Sequence, residues 1–304
     1  MRQKHPGESL GSLCGLFGVT RQAYYEAAAH EKKTSIIHSL VLSLVSDYRN
    51  DIPLIGTRKL HFLLLPALLE HGVTIGRDQL FDLLRFHGLL IRRRKRMVKT
   101  TDSSHWLKKY PNLIKDLIVT GPNQLWVSDL TYIKTLEGFS YLSLITDAFS
   151  RKIVGYCLYP TLEAIGCIKA LKMAVTSRKY DPTYFLIHHS DRGIQYCSAE
   201  YVNILKEENI AISMTQSGSP YDNALAERVN GIIKNEFFPK RVYQNHREAE
   251  KAIAKIIHAY NMKRPHASID YLTPDQAHSH QGILPKRWKR YQRKRKNVVE
   301  QADS

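Results

Sequence analysis

The 304 residues are 43% hydrophobic and 24% charged, ordinary globular usage that excludes a disordered, collagen-like or disulfide-scaffold chain and is long enough for two domains. Lys and Arg number 45 against 28 Asp and Glu, a formal charge of +17 that favours polyanionic partners. Six basic residues fall in the eight from Arg92 to Lys99 and eight in the eleven from Lys286 to Lys296, with no acid in either run; removing these fourteen leaves +3. Two such runs bracketing a mixed-charge middle read as clamps on a phosphate backbone rather than as solubilising stretches.

The four cysteines, Cys14, Cys157, Cys167 and Cys197, form no C-x-x-C pair, so reduced and mostly buried thiols are expected rather than a zinc or disulfide framework. No run approaches the roughly 18 apolar residues of a membrane span. Arg2 and Lys4 before the apolar stretch Leu10 to Val19 imitate a signal peptide, but Gly11, Gly15 and Gly18 make a poor apolar core, and Arg21, Gln22 and Glu26 separate it from Ala27 to Ala29.

Residues 9 to 29 read instead as a helix, a turn at Gly18 and a second helix capped by Thr20, whose hydroxyl can satisfy a free amide. Such a pair is either a DNA-binding helix-turn-helix or a hairpin that only packs. From Ser35 to Tyr48 the residues Ile37, Val41, Leu44 and Tyr48 recur at four, three and four, the spacing of an amphipathic helix. Thr57 is the expected cap of a helix through Leu60, Leu63, Leu64 and Leu65, which Pro66 should kink or end. Another helix is expected from Arg77 to His87, closed by Gly88. It leads into the first basic run, which makes Arg77, Gln79 and Arg85 candidates for reading DNA and Arg92, Arg93 and Arg94 candidates for holding it.

Residues from Thr100 to Gly121 look like a connection, after which the period becomes two. Leu125 to Ile133, Tyr141 to Thr146 and Lys152 to Tyr159 read as an antiparallel meander with a turn at Gly138. Helix (Glu163 to Arg178), strand (Thr183 to His189), helix (Ala199 to Glu208), strand (Ala211 to Thr215) and helix (Tyr221 to Phe237) follow, a mixed sheet with helices outside. A last helix is expected from Arg247 to Tyr260, before a basic tail.

Three acids stand out by location. Asp129 lies inside the first strand on the face of Leu125, Val127 and Ile133, where a carboxylate needs a partner. Asp191 follows the apolar run Tyr184 to Ile187 at a strand's carboxyl end, where α/β sheets tend to place ligands. Glu227 sits on a helix whose start is marked by Ser219 as cap, Pro220 at the first position and Asp222 three after the cap. On that helix Asn223, Glu227, Asn230 and Lys234 form one polar stripe, which by itself reads equally as a solvated face. His188 and His189 lack a second ligand pair and read as supporting or packing groups.

Asp191 and Glu227 have 35 residues between them, with Asp129 on the first strand before them. This resembles the D, D-35-E core of retroviral integrases and many transposases. The stretches WVSDLTY (126–132), HSDRGIQY (189–196), NALAERVN (223–230) and YNMKRPH (260–266) are similar to those of OrfB-type insertion-sequence transposases of the IS-three family. The likeness covers nearly the whole chain, and four ordered motifs at this spacing are far more specific than any one of them.

The resemblance implies an α/β, RNase H-like mixed sheet flanked by helices and preceded by all-α helix-turn-helix-type modules. The expected division is 1–32, a short helix-turn-helix; 33–98, a helical DNA-binding module ending in the basic run; 99–118, a linker; 119–262, the catalytic core; and 263–304, a basic tail. It carries over Asp129, Asp191 and Glu227 as catalytic metal ligands for two Mg²⁺ ions, with Mn²⁺ as a possible substitute. Lys234 and Asn230 would contact DNA from the same helix. The implied activity is cleavage at insertion-sequence ends and transfer of the 3′-hydroxyl to another phosphodiester. The implied partners are terminal inverted repeats, target DNA, an upstream helix-turn-helix product joined by frameshifting, and further copies of the chain on DNA, in the bacterial cytoplasm at the nucleoid with no membrane. A catalytically inactive DNA-binding regulator and an RNase H-like nuclease that hydrolyses without joining remain the alternatives. Because so many Lys and Arg side chains would release counterions, affinity for DNA is expected to fall steeply with salt. Equilibrium binding measured from low to moderate salt checks this, and a flat response would overturn the electrostatic clamp.

Overall fold

The structure, a computed structural model, describes residues 7–91, 106–178, 185–216, 223–238, 242–280, 282 and 284. Arg92, Arg93, Arg94 and the rest of both basic runs, the Thr183–Tyr184 start expected for a strand, and Ser219, Pro220 and Asp222 lie outside the described residues. The chain divides into two units, Met1–Met97 with Lys234–Pro239, and Val98–Ile233 with Lys240–Ser304.

In the first unit, α1 (Leu10–Leu16) is capped by Ser9, and α2 (Arg21–Asp51) by Thr20, whose hydroxyl accepts from the Ala23 amide at 3.1 Å. The helix expected after Thr20 and the amphipathic helix expected from Ser35 are therefore one 31-residue element, and a boundary between residues 32 and 33 falls inside it. No Gly or Pro interrupts this span and four alanines favour the helical backbone. In α3 (Thr57–Glu70) the cap is Gly56, with Thr57 buried in the first turn. Pro66 neither ends nor bounds α3. Buried Leu60, Leu64 and Leu68 lie at i, i+4 and i+8 on both sides of it, and packing of that stripe outweighs the roughly 3 kcal/mol that an interior proline costs. α4 (Arg77–Phe86) follows the cap Gly76 and ends as expected at Gly88, which adopts φ +67°. Leu80 and Leu84 complete the buried side of this unit, and Tyr48 donates its hydroxyl to the Leu63 carbonyl at 2.9 Å.

The second unit is built on a five-stranded sheet of order β3-β2-β1-β4-β5. β1 (Leu125–Thr135), β2 (Gly138–Asp147) and β3 (Ile153–Tyr159) form the expected antiparallel meander. β4 (Ile187–Ser190) then pairs in parallel with β1, and β5 (Ala211–Met214) in parallel with β4. Trp126 and Ile145 point to one face, where α5 (Ala164–Ser177) supplies Cys167, Ile168 and Leu171 and α6 (Ala199–Glu207) supplies Tyr201 and Leu205. On the other face Leu125, Val127 and Ile187 meet Ala226 of α7 (Ala224–Ile232). The mixed sheet flanked by helices, with all-α helices before it, is the architecture the sequence implied.

Three local expectations are corrected. The helix expected over Tyr221 to Phe237 is α7, which begins at Ala224 with Asn223 as its cap and passes into a π-helix over Ile233–Phe237. Residues expected to be linker pack on the sheet from Leu107 onward, with the Leu113 amide donating to Ser213 Oγ at 2.9 Å. The expected basic tail is folded in its first part: after α8 (His246–Lys263), a 3₁₀ turn at Ala267–Ile269 and α9 (Pro274–His278) place Ile269, Ala277 and Leu284 against Phe149. Thr273 and Gln276 form a capping box on α9, a signal present in the sequence. All four cysteines are free, and Cys14, Cys167 and Cys197 are buried, with burial pushing the Cys167 thiol up to about 12. No helix among the described residues is long and apolar enough to cross a membrane.

The tightest approach in the sheet unit is at Gly155 of β3. A Cβ there would overlap the Ala170 carbonyl and stand 2.8 Å from Ala174 Cβ, both on α5. Gly155→Ala should therefore cost about 3 kcal/mol through overpacking, read as a shifted urea midpoint, and an unchanged midpoint would show that α5 can retreat.

Candidate active site

Period-two geometry puts Asp129 on the α7 face of β1, where it stands opposite Leu144 of β2. Its Oδ1 accepts from the Leu130 amide at 3.0 Å and its Oδ2 from Asn230 Nδ2 at 2.7 Å. Burial is the main reason its carboxyl is pushed up to about 7; the charge of Asp191, and less that of Glu227, act in the same direction, while the Asn230 and Leu130 bonds oppose them. The three acids are thus drawn within electrostatic reach of one carboxyl group. Asp191 follows the carboxyl end of β4, its Oδ1 accepting from the Gly193 amide at 2.9 Å, and Arg192 Nε binds the Thr215 carbonyl at 2.6 Å. Glu227 is exposed in the first turn of α7, its amide bonded to the Asn223 carbonyl at 3.1 Å.

α7 is tied to β1 by two buried asparagines, Asn223 at its amino end and Asn230 in its last turn. Asn223 Nδ2 donates to the Ser128 carbonyl at 2.9 Å, one residue before the bond from Asn230 to Asp129. The stripe read as polar surface therefore faces the sheet at both asparagines. This corrects the expectation for Asn230: it is buried and spends its amide on Asp129 instead of presenting it to DNA. Lys234 lies on the π-helix that follows α7. The segment that begins at Lys234 belongs to the helical unit, where Glu236 receives the Leu54 amide on its carbonyl and Lys59 Nζ on its carboxylate, each at 2.8 Å.

Below the acids, on the opposite face of β1, lies a second polar group of side chains. His188 Nε2 is 2.7 Å from Ser128 Oγ and 2.9 Å from Tyr201 OH, with all three residues buried. Burial, and then the neighbouring His189, hold the His188 imidazole down to about 3, so it is neutral. His189 Nδ1 is 2.8 Å from Ser213 Oγ. Both histidines support the sheet, as their sequence context indicated. Sequence reasoning passed over Ser128, Tyr201 and the partner of Asn223; the one available signal was a hydroxyl at Ser128 in register with the apolar face of Trp126.

In the helical unit, Arg77 and Arg85 are exposed on α4, paired with Asp78 at 2.9 Å and with Asp82 respectively. Gln79 accepts the Gly76 amide at 2.7 Å and so caps its own helix. Exposed ion pairs of this kind are screened by solvent and contribute little, so a phosphate could displace the acid.

Among the described residues no group of three or more His, Cys, Asp and Glu side chains is closed around a metal position. The donor chemistry nevertheless fits a hard divalent cation. All three acids offer oxygen only, their mutual repulsion would be relieved by a cation, and the nearby Oδ1 atoms of Asn223 and Asn230 are buried with no hydrogen-bond partner among the described residues.

Two family profiles described as integrase core domain match residues 119–220 and 208–274. The chain is 35% identical over 266 residues to the insertion element IS600 uncharacterized 31 kDa protein of Shigella sonnei, covering 86% of this chain and 96% of that one. It is 30% identical to the transposase for insertion sequence element IS629 of the same organism, over 88% of this chain and 90% of the relative. The chain belongs to the insertion-sequence transposases with an integrase core. A solved HTLV-2 integrase catalytic core domain in complex with magnesium aligns with a TM-score of 0.41 and 22% identity, over 52% of this chain and 97% of that one.

In this transposase the raised Asp129 carboxyl sets a pH dependence. An unfolded Asp loses its proton near 4, whereas the folded one holds it to about 7, so the contribution of this group to stability falls as pH rises from about 4 to about 7 and is level above. Asp129→Asn removes that slope. In the presence of chelator the variant should gain stability relative to wild type between pH 4 and pH 8, measured by urea unfolding; a pH-independent difference would mean that the carboxyl ionises normally.

Proposed function

We propose that this chain cleaves DNA at the ends of its insertion sequence and transfers the resulting 3′-hydroxyl to another phosphodiester. The observation that supports this reading is the electrostatic influence of Asp191 and Glu227 on the half-buried carboxyl of Asp129, at the family's 35-residue spacing. Asp129, Asp191 and Glu227 would hold two Mg²⁺ ions, or Mn²⁺ in their place, which when bound supply charge neutralisation at the attacking and leaving oxygens.

The chain's own residues prepare that site. Asn230 orients the Asp129 carboxylate through Oδ2 while the Leu130 amide holds Oδ1, and each oxygen keeps a lone pair for a cation. Asn223 holds the start of α7 against β1, which keeps Glu227 at a set distance from the strand. The Gly193 amide fixes the Asp191 carboxylate in a tight turn beyond β4. Arg77 and Arg85 on α4, together with the basic runs containing Arg92, Arg93 and Arg94, are the proposed phosphate contacts, and Lys234 is a further one. Joining two element ends needs both held together, which supports an oligomer on DNA and an upstream helix-turn-helix partner.

Labelled DNA carrying the inverted repeats that flank the gene, incubated with Mg²⁺ and either wild type or Glu227→Gln, tests the proposal. Wild type should yield joined products, and the variant should bind the same DNA while losing about 1,000-fold in rate, equal to ~4 kcal/mol of transition-state stabilisation. Cleavage without joining would favour the nuclease reading. Unchanged cleavage by Glu227→Gln would overturn the site.

A further inference from the structure

The parallel ladder between β1 and β4 consists of Leu125 with Ile187, Trp126 with His188 and Val127 with His189, so it stops two residues short of both Asp129 and Asp191. Backbone pairing between these strands therefore does not reach the two acids. Ser128 occupies the gap. It directly precedes Asp129, its Oγ is 2.7 Å from His188 Nε2, and His188 is three residues before Asp191. Tyr201 closes the group from α6: its hydroxyl is 2.9 Å from the same Nε2 and also bonds to Ser128. The Ser128 carbonyl meanwhile receives Asn223 Nδ2 from the start of α7. One residue thus has direct bonds to the two elements that carry the other acids, through its hydroxyl toward β4 and through its carbonyl toward α7.

We propose that Ser128, His188 and Tyr201 are positioning residues that set the spacing of Asp129 and Asp191, and through it the affinity of the site for divalent cations. The proposal rests on the metal-dependent reading of those acids given above. The cluster lies on the face of β1 turned away from the Asp129 carboxylate, so none of its side chains needs to touch metal or DNA to act. A fully buried hydroxyl–imidazole–hydroxyl group is also directional in a way that apolar packing is not, because each bond tolerates only a few tenths of an ångström. Residues that orient metal ligands from behind commonly change metal affinity by tenfold or more when removed.

Ser128→Ala deletes the hydroxyl but leaves the carbonyl that Asn223 uses, and Tyr201→Phe deletes one oxygen while keeping the ring packed. Binding of Mn²⁺ to the full chain, titrated by electron paramagnetic resonance, is the readout, with Asp129→Asn as reference. Asp129-dependent binding is expected in wild type, weakened about tenfold in each single variant. The double variant should lose no more than the larger single loss, because both hydroxyls act through one imidazole. Thermal melting and DNA binding measured alongside separate positioning from packing. Lower melting temperatures with unchanged Mn²⁺ affinity would overturn the proposal, as would additive losses in the double variant. If Ser128→Ala does not fold, Tyr201→Phe decides alone. Mn²⁺ binding that does not depend on Asp129 would instead overturn the metal-site reading and the positioning role with it, whereas Asp129-dependent binding untouched by the hydroxyl variants overturns only the positioning role.

Discussion

The parallel pairing of β1 with β4 is the constraint on which the rest of the catalytic unit depends. Three residue pairs make it, and they bring together segments some 60 positions apart in the chain. Parallel strands cannot be joined by a tight turn, so the intervening chain must leave the sheet and return. Here it adds β2 and β3 on one side of β1 and then crosses through α5, whose apolar residues cover the face beneath Trp126. The close approach of α5 to Gly155 shows how little room that crossing has. With the crossing in place, Asp129 within β1 and Asp191 just after β4 both lie two residues beyond the last β1–β4 pair.

That geometry imposes an electrostatic cost. A carboxylate removed from water on a strand, with two further acids acting on it, prefers its proton well above the ordinary carboxylate range. Two bonds, from Asn230 and the Leu130 amide, offset part of the cost, and a cation would offset more. A site with this balance is poorly suited to stabilising a fold and well suited to binding positive charge. Contrast Asp147, fully buried at the end of β2: it accepts the Asn123 amide at 2.7 Å and the Ser150 amide at 2.8 Å, and so serves as a turn organiser. Two acids in neighbouring strands, one half-buried and one fully buried, therefore do different work because of their surroundings and of what donates to them.

The helical unit shows how packing decides against local preference. Pro66 sits inside α3 because leucines on either side bury against the rest of the unit, and Gly56 rather than the better-capping Thr57 precedes the helix because Thr57 is buried.

The sequence by itself determined the class of the sheet unit, because period-two and helical spacings are local, and it singled out the three candidate acids, because their order and the 35-residue interval survive without coordinates. Capping residues such as Thr20 and turn glycines such as Gly88 and Gly138 were legible for the same reason: each acts within a few residues of itself. Only the tertiary structure decided what surrounds the acids. Asn230 reads as surface on a helical wheel and becomes the partner of Asp129 only when α7 lies on β1. Ser128, His188 and Tyr201 meet across 60 and 13 residues of chain, separations at which no local pattern records a hydrogen bond. The apparent tail after residue 263 folds because Phe149 lies ready to receive Ile269 and Ala277. Spacing along the chain names the residues that carry charge, but the strength of that charge depends on burial and on partners, and those belong to the folded molecule.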